Sequence, residues 1–238
     1  MIKLYQNQWH GIDFKSFSKC DSKNIASKNF YDNFYKIFFK KFKSFNDLDK
    51  SWISYKNKIA SIILKEIGAK TNILSIGCGI GIVERYLHEN LSNIKLTAIE
   101  PSSNVSRWIQ HLDRINIKDG YFPEILNNKS KFDIAYANGI DYVFNKQEYE
   151  KFLKSVVDYG IKELIIVSVS YYLPSFKIFI REFIKNFLVK INLYFKEMQF
   201  WGYMRSYNEH LASMKKVGFN SISLIYKSDN TIIIKAKI

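Results

Sequence analysis

The chain is poor in the residues that break or staple a fold. Its 238 residues include 3 Pro and 10 Gly, against a usual combined share of about 12%. Disordered, collagen-like and linker-dominated organisations are thereby excluded. Two cysteines, Cys20 and Cys78, cannot build a disulfide framework, and free thiols point to a cytoplasmic protein. No positively charged start followed by an apolar stretch occurs over Met1–His10, so no signal peptide is expected. The longest charge-free apolar window of the C-terminal half, Leu164–Phe176, has 13 residues and is too short to span a bilayer. Arginine is scarce too, with five residues against 31 lysines. Nucleic-acid readers favour the guanidinium fork. The net charge of +14 therefore argues for a basic surface or an anionic small-molecule partner, and against a nucleic-acid partner. No cluster of His, Cys, Asp and Glu has ligand spacing, so no metal is expected. Nothing here sets the oligomeric state.

Apolar residues are plentiful, at 47% of the chain, with 39 aromatics among the total. Residues 1–71 carry 14 basic and 6 acidic side chains. Within them Phe30, Phe34, Phe38, Phe42 and Phe45 recur every three or four positions, which predicts an amphipathic helix over Asn29–Phe45. A second helix is expected over Leu48–Ile67, ended by Gly68. This region reads as a helical cap over a domain spanning residues 72–238.

From Asn72 strands and helices alternate. Strands are predicted at Asn72–Ile76, Lys95–Ile99, Ile115–Lys118, Phe132–Ala137 and Glu163–Val169. Helices are predicted at Ile80–Asn90, from Ser102 or Ser103 to Leu112, and at Gln147–Tyr159. Such alternation implies an α/β fold, a doubly wound and mostly parallel sheet covered on both faces. After an insertion over residues 171–205, expected to be largely helical, come a helix at Asn208–Val217 and strands at Ser221–Tyr226 and Thr231–Lys237. The short turn between those last strands requires a hairpin, so the sheet should finish antiparallel.

One motif carries chemistry. Ile73-Leu74-Ser75-Ile76-Gly77-Cys78-Gly79-Ile80-Gly81 follows the first of these strands and opens a helix. Glycines there let the backbone turn sharply and approach a ligand, and helix N-terminal amides favour polar or negative groups. Glu100 ends the next strand, 19 residues after Gly81, where an acid accepts hydrogen bonds from ribose hydroxyls. The spacing Gly77, Gly79, Gly81 lacks the Gly-x-Gly-x-x-Gly of dinucleotide oxidoreductases, because position 82 is Ile. It resembles motif I of class I S-adenosylmethionine-dependent methyltransferases, and the resemblance extends from Asn72 to Ile238. It implies a Rossmann-like sheet with an antiparallel seventh strand and S-adenosylmethionine as cofactor. It also implies cofactor contacts at Ser75, Gly77, Cys78, Gly79, Gly81, Glu100, Pro101, Asp119, Gly120 and Asn138. The family usually places Asp or Glu where Ser75 stands.

Methyl transfer from a sulfonium needs alignment, exclusion of water and a proton acceptor when the acceptor atom is a hydroxyl oxygen. Candidate catalytic residues are His10, Asp141 and Tyr142. Candidate substrate contacts are Trp9, Tyr171, Tyr172 and Arg205. His10 is expected to have a near-neutral pKa suited to general-base work. Cap residues 1–45 are expected to form a lid. The stretch Ala137-Asn138-Gly139-Ile140 lacks the Asn-Pro-Pro-Tyr-like motif of base N-methyltransferases. The pattern Phe30-Tyr31…Phe34-Tyr35…Phe38-Phe39…Leu48…Trp52…Lys56 also resembles bacterial methyltransferases encoded with surface-polysaccharide genes. That second resemblance implies O-methylation of a sugar, or of a phosphorylated or nucleotide-linked glycan precursor. The alternative is a cofactor-binding protein of low activity acting at a membrane surface or on RNA. Ser75, which supplies no charge, keeps low activity open, and the membrane contact rests on Phe176–Lys196, apolar on a wide face with Lys177, Arg181 and Lys185 four apart.

Overall fold

The computed structural model describes residues 1–102, 105–126, 131–169, 180, 183–185, 187–188, 191 and 198–238. Apolar runs without polar alternation build the centre of the sheet. In β4 (Asn72–Ile76) and β8 (Glu163–Val169) nearly every side chain is buried, as expected for strands covered on both faces. Beside them lie β5 (Lys95–Glu100), β6 (Ile115–Asp119) and β7 (Ile134–Asn138), all parallel. The final hairpin pairs β10 (Ser221–Lys227) with β11 (Thr231–Lys237), and β11 runs antiparallel against β8. The order is β10-β11-β8-β7-β4-β5-β6, the seven-stranded sheet with an antiparallel end that the sequence predicted. The chain leaves β4 toward β5 on one side and returns to β7 on the other. That reversal opens a crevice at the strand C-termini.

Helices cover both faces. On one, α3 (Ile82–Asn90) and the second half of α2 (Lys50–Ile67) bury Ile59, Ile63 and Ile67 against Ile73, Ile134 and Ile165. On the other, α4 (Lys146–Asp158) and α5 (Tyr207–Val217) bury Phe152, Leu153 and Met214. The first half of α2 belongs elsewhere. Leu48, Trp52 and Ile53 join a third cluster, built from α1 (Lys28–Lys41), Phe14 and Trp201. One helix thus ties the cap to the sheet.

Three expectations change. The aromatic helix stops at Lys41, with Phe42 as its C-cap and Phe45 opening a separate 3-10 turn behind Ser44. Ser44 and Asp47 form a capping box there, and such local bonds compete with helix continuation. The helix expected to start at Ser102 or Ser103 is a 3-10 turn, Val105–Trp108. Its amides bond three residues back (Val105 to Ser102 and Ile109 to Ser106). The tight turn sets the buried Ile109 side chain where a Cβ at Gly81 would sit, 2.4 Å away. The insertion, expected to be largely helical and mostly outside the described residues, ends in an unexpected strand, β9 (Gln199–Met204), which pairs antiparallel with β1 (Ile2–Gln6). A strand whose partner lies some two hundred residues away has no local signature. No helix among the described residues is long and apolar enough to cross a membrane.

Candidate active site

The glycine loop is latched to its neighbour strand. The amides of Gly77 and Cys78 both donate to Ile99 O, at 2.8 and 3.1 Å. Gly79 N donates to Glu100 Oε2 at 2.9 Å, and Ser102 N to Oε1 at 3.0 Å. These bonds force φ of +76° at Gly77 and +56° at Gly79, conformations open to glycine. A Cβ at Gly77 would lie 2.3 Å from Ile140 Cγ2. At Gly79 it would meet only Tyr35 Oη, at 3.9 Å, so that glycine presents bare backbone to the cavity. The loop's amides are therefore largely spent within the protein and are not directed at a ligand.

The crevice above the loop is a cavity of about 910 Å³, within the usual size range for small-molecule sites. Gly77, Cys78, Gly79, Glu100, Pro101, Gly120 and Asn138 line it on the sheet side. Burial is the main force that pushes the Glu100 pKa up to about 7, and the charges of Glu84 and Asp119 push the same way. The two backbone donors oppose them.

The cap closes the cavity with aromatic side chains, Trp9, Tyr31, Tyr35, Phe38 and Trp52 among them. Here β2 (Gln8–Trp9) and β3 (Ile12–Asp13) form a minimal hairpin. Its two turn residues, His10 and Gly11, have φ of 51° and 65°, as the twist of a two-residue hairpin demands. Lys41 Nζ donates to both their carbonyls, at 3.0 and 3.1 Å, which holds the His10 ring in the wall. The ring lies edge-on to Trp52, centroids 4.4 Å apart. Burial, then Lys41 and Lys56, lower its pKa to about 4. His10 reaches the cavity as expected, but neutral and far less basic than the sequence suggested. Trp9, stacked on Phe34, also lines the cavity. So does Tyr142, whose hydroxyl lies 3.1 Å from that of Tyr31. Burial raises the Tyr142 pKa to about 12, so the phenol stays protonated.

Several expected site residues are not in the cavity wall. Ser75 donates at 2.6 Å to Glu84 Oε1, which Tyr136 also donates to at 2.7 Å. Ser75 is thus a buried prop beneath the loop, hydrogen-bonded to the carboxylate of Glu84 on α3. Gly81 is the left-handed N-cap of α3, packed on Ile109. Asp119 ends β6 exposed to solvent beside the cavity, while its neighbour Gly120 lines it. Asp141 is buried under the floor, accepting from Ser168 Oγ at 2.6 Å. Burial raises its pKa to about 6, against Ser168 and Arg205. Arg205 is only 2% exposed and donates to the carbonyls of Asp141 (2.6 Å), Phe144 and Asn145 (3.1 Å). It caps a turn and is not among the described residues that line the cavity. His210 joins the same buried network through Tyr149 and Ser168. Tyr171 and Tyr172 lie outside the described residues, as do Lys177, Arg181 and most of Phe176–Lys196.

Sequence reasoning missed the roles of Lys56 and Glu84. Lys56 is four residues after Trp52, the spacing of one helix face, so both reach the cavity from α2. Glu84 sits in the first turn of α3, where the helix dipole favours a carboxylate. Among the described residues no group of three or more His, Cys, Asp and Glu could hold a metal ion.

By sequence the chain matches no family model and no curated protein. By structure it is similar to human N-acetylserotonin methyltransferase, crystallised with S-adenosylmethionine. The TM-score is 0.59 at 13% identity, over 89% of this chain and 56% of that one. Mitomycin 7-O-methyltransferase matches with a TM-score of 0.58 at 16% identity, over 78% and 55% of the two chains. The S-adenosylmethionine-dependent methyltransferase SibL matches at 0.60 and 10% identity, over 94% and 64%. The protein has the methyltransferase fold, and it spans a little over half the length of these matched structures.

Proposed function

We propose that the protein is an S-adenosylmethionine-dependent methyltransferase acting on an oxygen atom of a small molecule. The observation that carries this reading is the latched loop with Glu100 at its rim. A dinucleotide site needs free loop amides for a pyrophosphate, whereas here Gly77, Cys78 and Gly79 give theirs to Ile99 and Glu100. What remains is a carboxylate with spare lone pairs for ribose hydroxyls and a bare Gly79 face, which fits an adenosine bearing no phosphate. Gly77, Gly79, Glu100 and Gly120 would hold that nucleoside. When bound, S-adenosylmethionine supplies a methyl group activated by its sulfonium charge. The aromatic cap excludes water. Neutral His10 can accept a proton at a ring nitrogen, and Tyr142 Oη can donate a hydrogen bond to the acceptor.

Oxygen as the target, and a small acceptor, draw support from neighbours such as mitomycin 7-O-methyltransferase. A sugar or nucleotide-linked sugar is the finer class implied by the N-terminal pattern. Lys28 and Lys151 in the cavity lining suit its phosphates. Calorimetric titration with S-adenosylhomocysteine tests the reading, with micromolar or tighter affinity expected. Absence of binding together with binding of NADH overturns it.

A membrane contact is proposed on separate grounds. Among the described residues Phe183, Ile184 and Phe187, all helical, and Ile191 are exposed, Phe183 by 61%. With a net charge of +14, these exposed side chains suit an anionic lipid surface. Sedimentation with phosphatidylserine vesicles should pull the protein down, and the Phe183→Ser/Phe187→Ser variant should stay in the supernatant. Equal sedimentation of both removes the proposal.

A further inference from the structure

Lys56 is a cation in a place that does not suit one. Its side chain lines the cavity from α2, beside the rings of Trp52 and His10. An ammonium has three protons to donate. Among the described residues only Asn138 Oδ1 accepts one, at 3.4 Å. Glu84 acts on Lys56 through its charge but forms no ion pair with it within 4.0 Å, and its Oε1 already accepts from Ser75 and Tyr136. Burial lowers the Lys56 pKa to about 8. The half-buried ammonium thus faces the cavity with protons to spare, and an anion arriving with a ligand would take them.

The position of that anion follows from the order of the strands. Gly120 ends the β6 side of the cavity and Glu100 the β5 side; Gly77 and Gly79 follow β4; Asn138 ends β7. With the nucleoside at Gly120 and Glu100, the amino-acid end of the cofactor falls beyond Gly77, toward Asn138 and Lys56. We propose that Lys56 Nζ, with Asn138 beside it, binds the α-carboxylate of S-adenosylmethionine. This rests on the cavity's being an S-adenosylmethionine site. Charged recognition of the amino-acid end then comes from the cap helix, because Ser75 is spent on Glu84 beneath the loop. It also couples the two halves of the molecule, since α2 packs with the aromatic cap at one end and the sheet at the other.

The test compares two nucleosides that differ in the amino-acid end. S-adenosylhomocysteine carries the carboxylate, and 5′-methylthioadenosine has none. Each is titrated calorimetrically into the wild-type protein, Lys56→Met and Lys56→Arg, with circular dichroism as a check on folding. Lys56→Met should weaken S-adenosylhomocysteine about 10–100-fold, the scale for losing a hydrogen bond to a charged group. It should change 5′-methylthioadenosine by less than about twofold, and Lys56→Arg should recover most of the loss. If Lys56→Met is unfolded, Lys56→Gln takes its place. An equal loss for both nucleosides overturns the proposal and makes Lys56 a support of the fold. No loss for either overturns it too, and assigns the anion to the acceptor. A wild-type protein that binds neither nucleoside overturns the S-adenosylmethionine reading itself, and this inference with it.

Discussion

The two walls of the cavity are built by different physics. The sheet wall is backbone chemistry, in which glycines of positive φ, a latched loop and a carboxylate at a strand end hold one another in place. The cap wall is side-chain packing, in which α1, α2 and the β2–β3 hairpin meet through stacked and edge-on rings of Trp9, Phe14, Phe34, Phe38 and Trp201. A backbone wall tolerates little change in shape. A packed aromatic wall tolerates volume-conserving change.

The sharpest way to break this contrast is to empty the cap core. Phe34 is fully buried at its centre, and Phe34→Ala should cost about 3–5 kcal/mol. That corresponds to roughly 2–4 °C of melting temperature per kcal/mol for a chain of this size. A loss below about 1 kcal/mol would mean the cap is only loosely docked. Next is the sheet wall. Gly77→Ala brings a Cβ to 2.3 Å from Ile140 Cγ2 at a φ of +76°. It should weaken S-adenosylhomocysteine about 100-fold or more, at a stability cost of about 1–3 kcal/mol. Unchanged affinity by calorimetry would show that the loop can relax and that the wall is not rigid.

Glu100→Ala should weaken the same ligand by about 1–3 kcal/mol, and an unaltered dissociation constant would take Glu100 out of the site. The smallest effect is pH dependence. Glu100 has a folded pKa near 7, above the usual 4.5. Its contribution to the stability of the free protein is therefore full below about pH 4.5 and lost as pH rises through about 7. Ribose hydroxyls donate to the ionised form, so binding has the opposite slope. Affinity for S-adenosylhomocysteine should rise about 3–10-fold between pH 6 and 7.5, and the rise should vanish in Glu100→Ala. A flat wild-type profile would mean that Glu100 is already ionised at pH 6.

Legibility in the sequence divides along the same line. The order of strands, the antiparallel hairpin and the glycine loop followed from apolar runs, Gly spacing and a short turn, all signals contained within a few residues. Glu100 was readable for the same reason: one strand places it beside the loop. Arg205, Asp141 and Ser75 were misread, because a polar residue near a strand end can face a ligand or brace a turn. Only the distances to Asp141 O, Ser168 Oγ and Glu84 Oε1 distinguish the two.

What the sequence by itself determined is the α/β sheet and the glycine loop at its edge, because glycine geometry and hydrophobic period are local and backbone-driven. The tertiary structure alone decided the rest. It joined β1 to β9 across the length of the chain and carried a carboxylate from α3 beneath Ser75. It lowered the basicity of His10 by burying it beside Lys41 and Lys56. It also left Lys56 facing the cavity with, among the described residues, a single long hydrogen bond. Each of these depends on desolvation and on neighbours distant in sequence, and neither is encoded in the spacing of nearby residues.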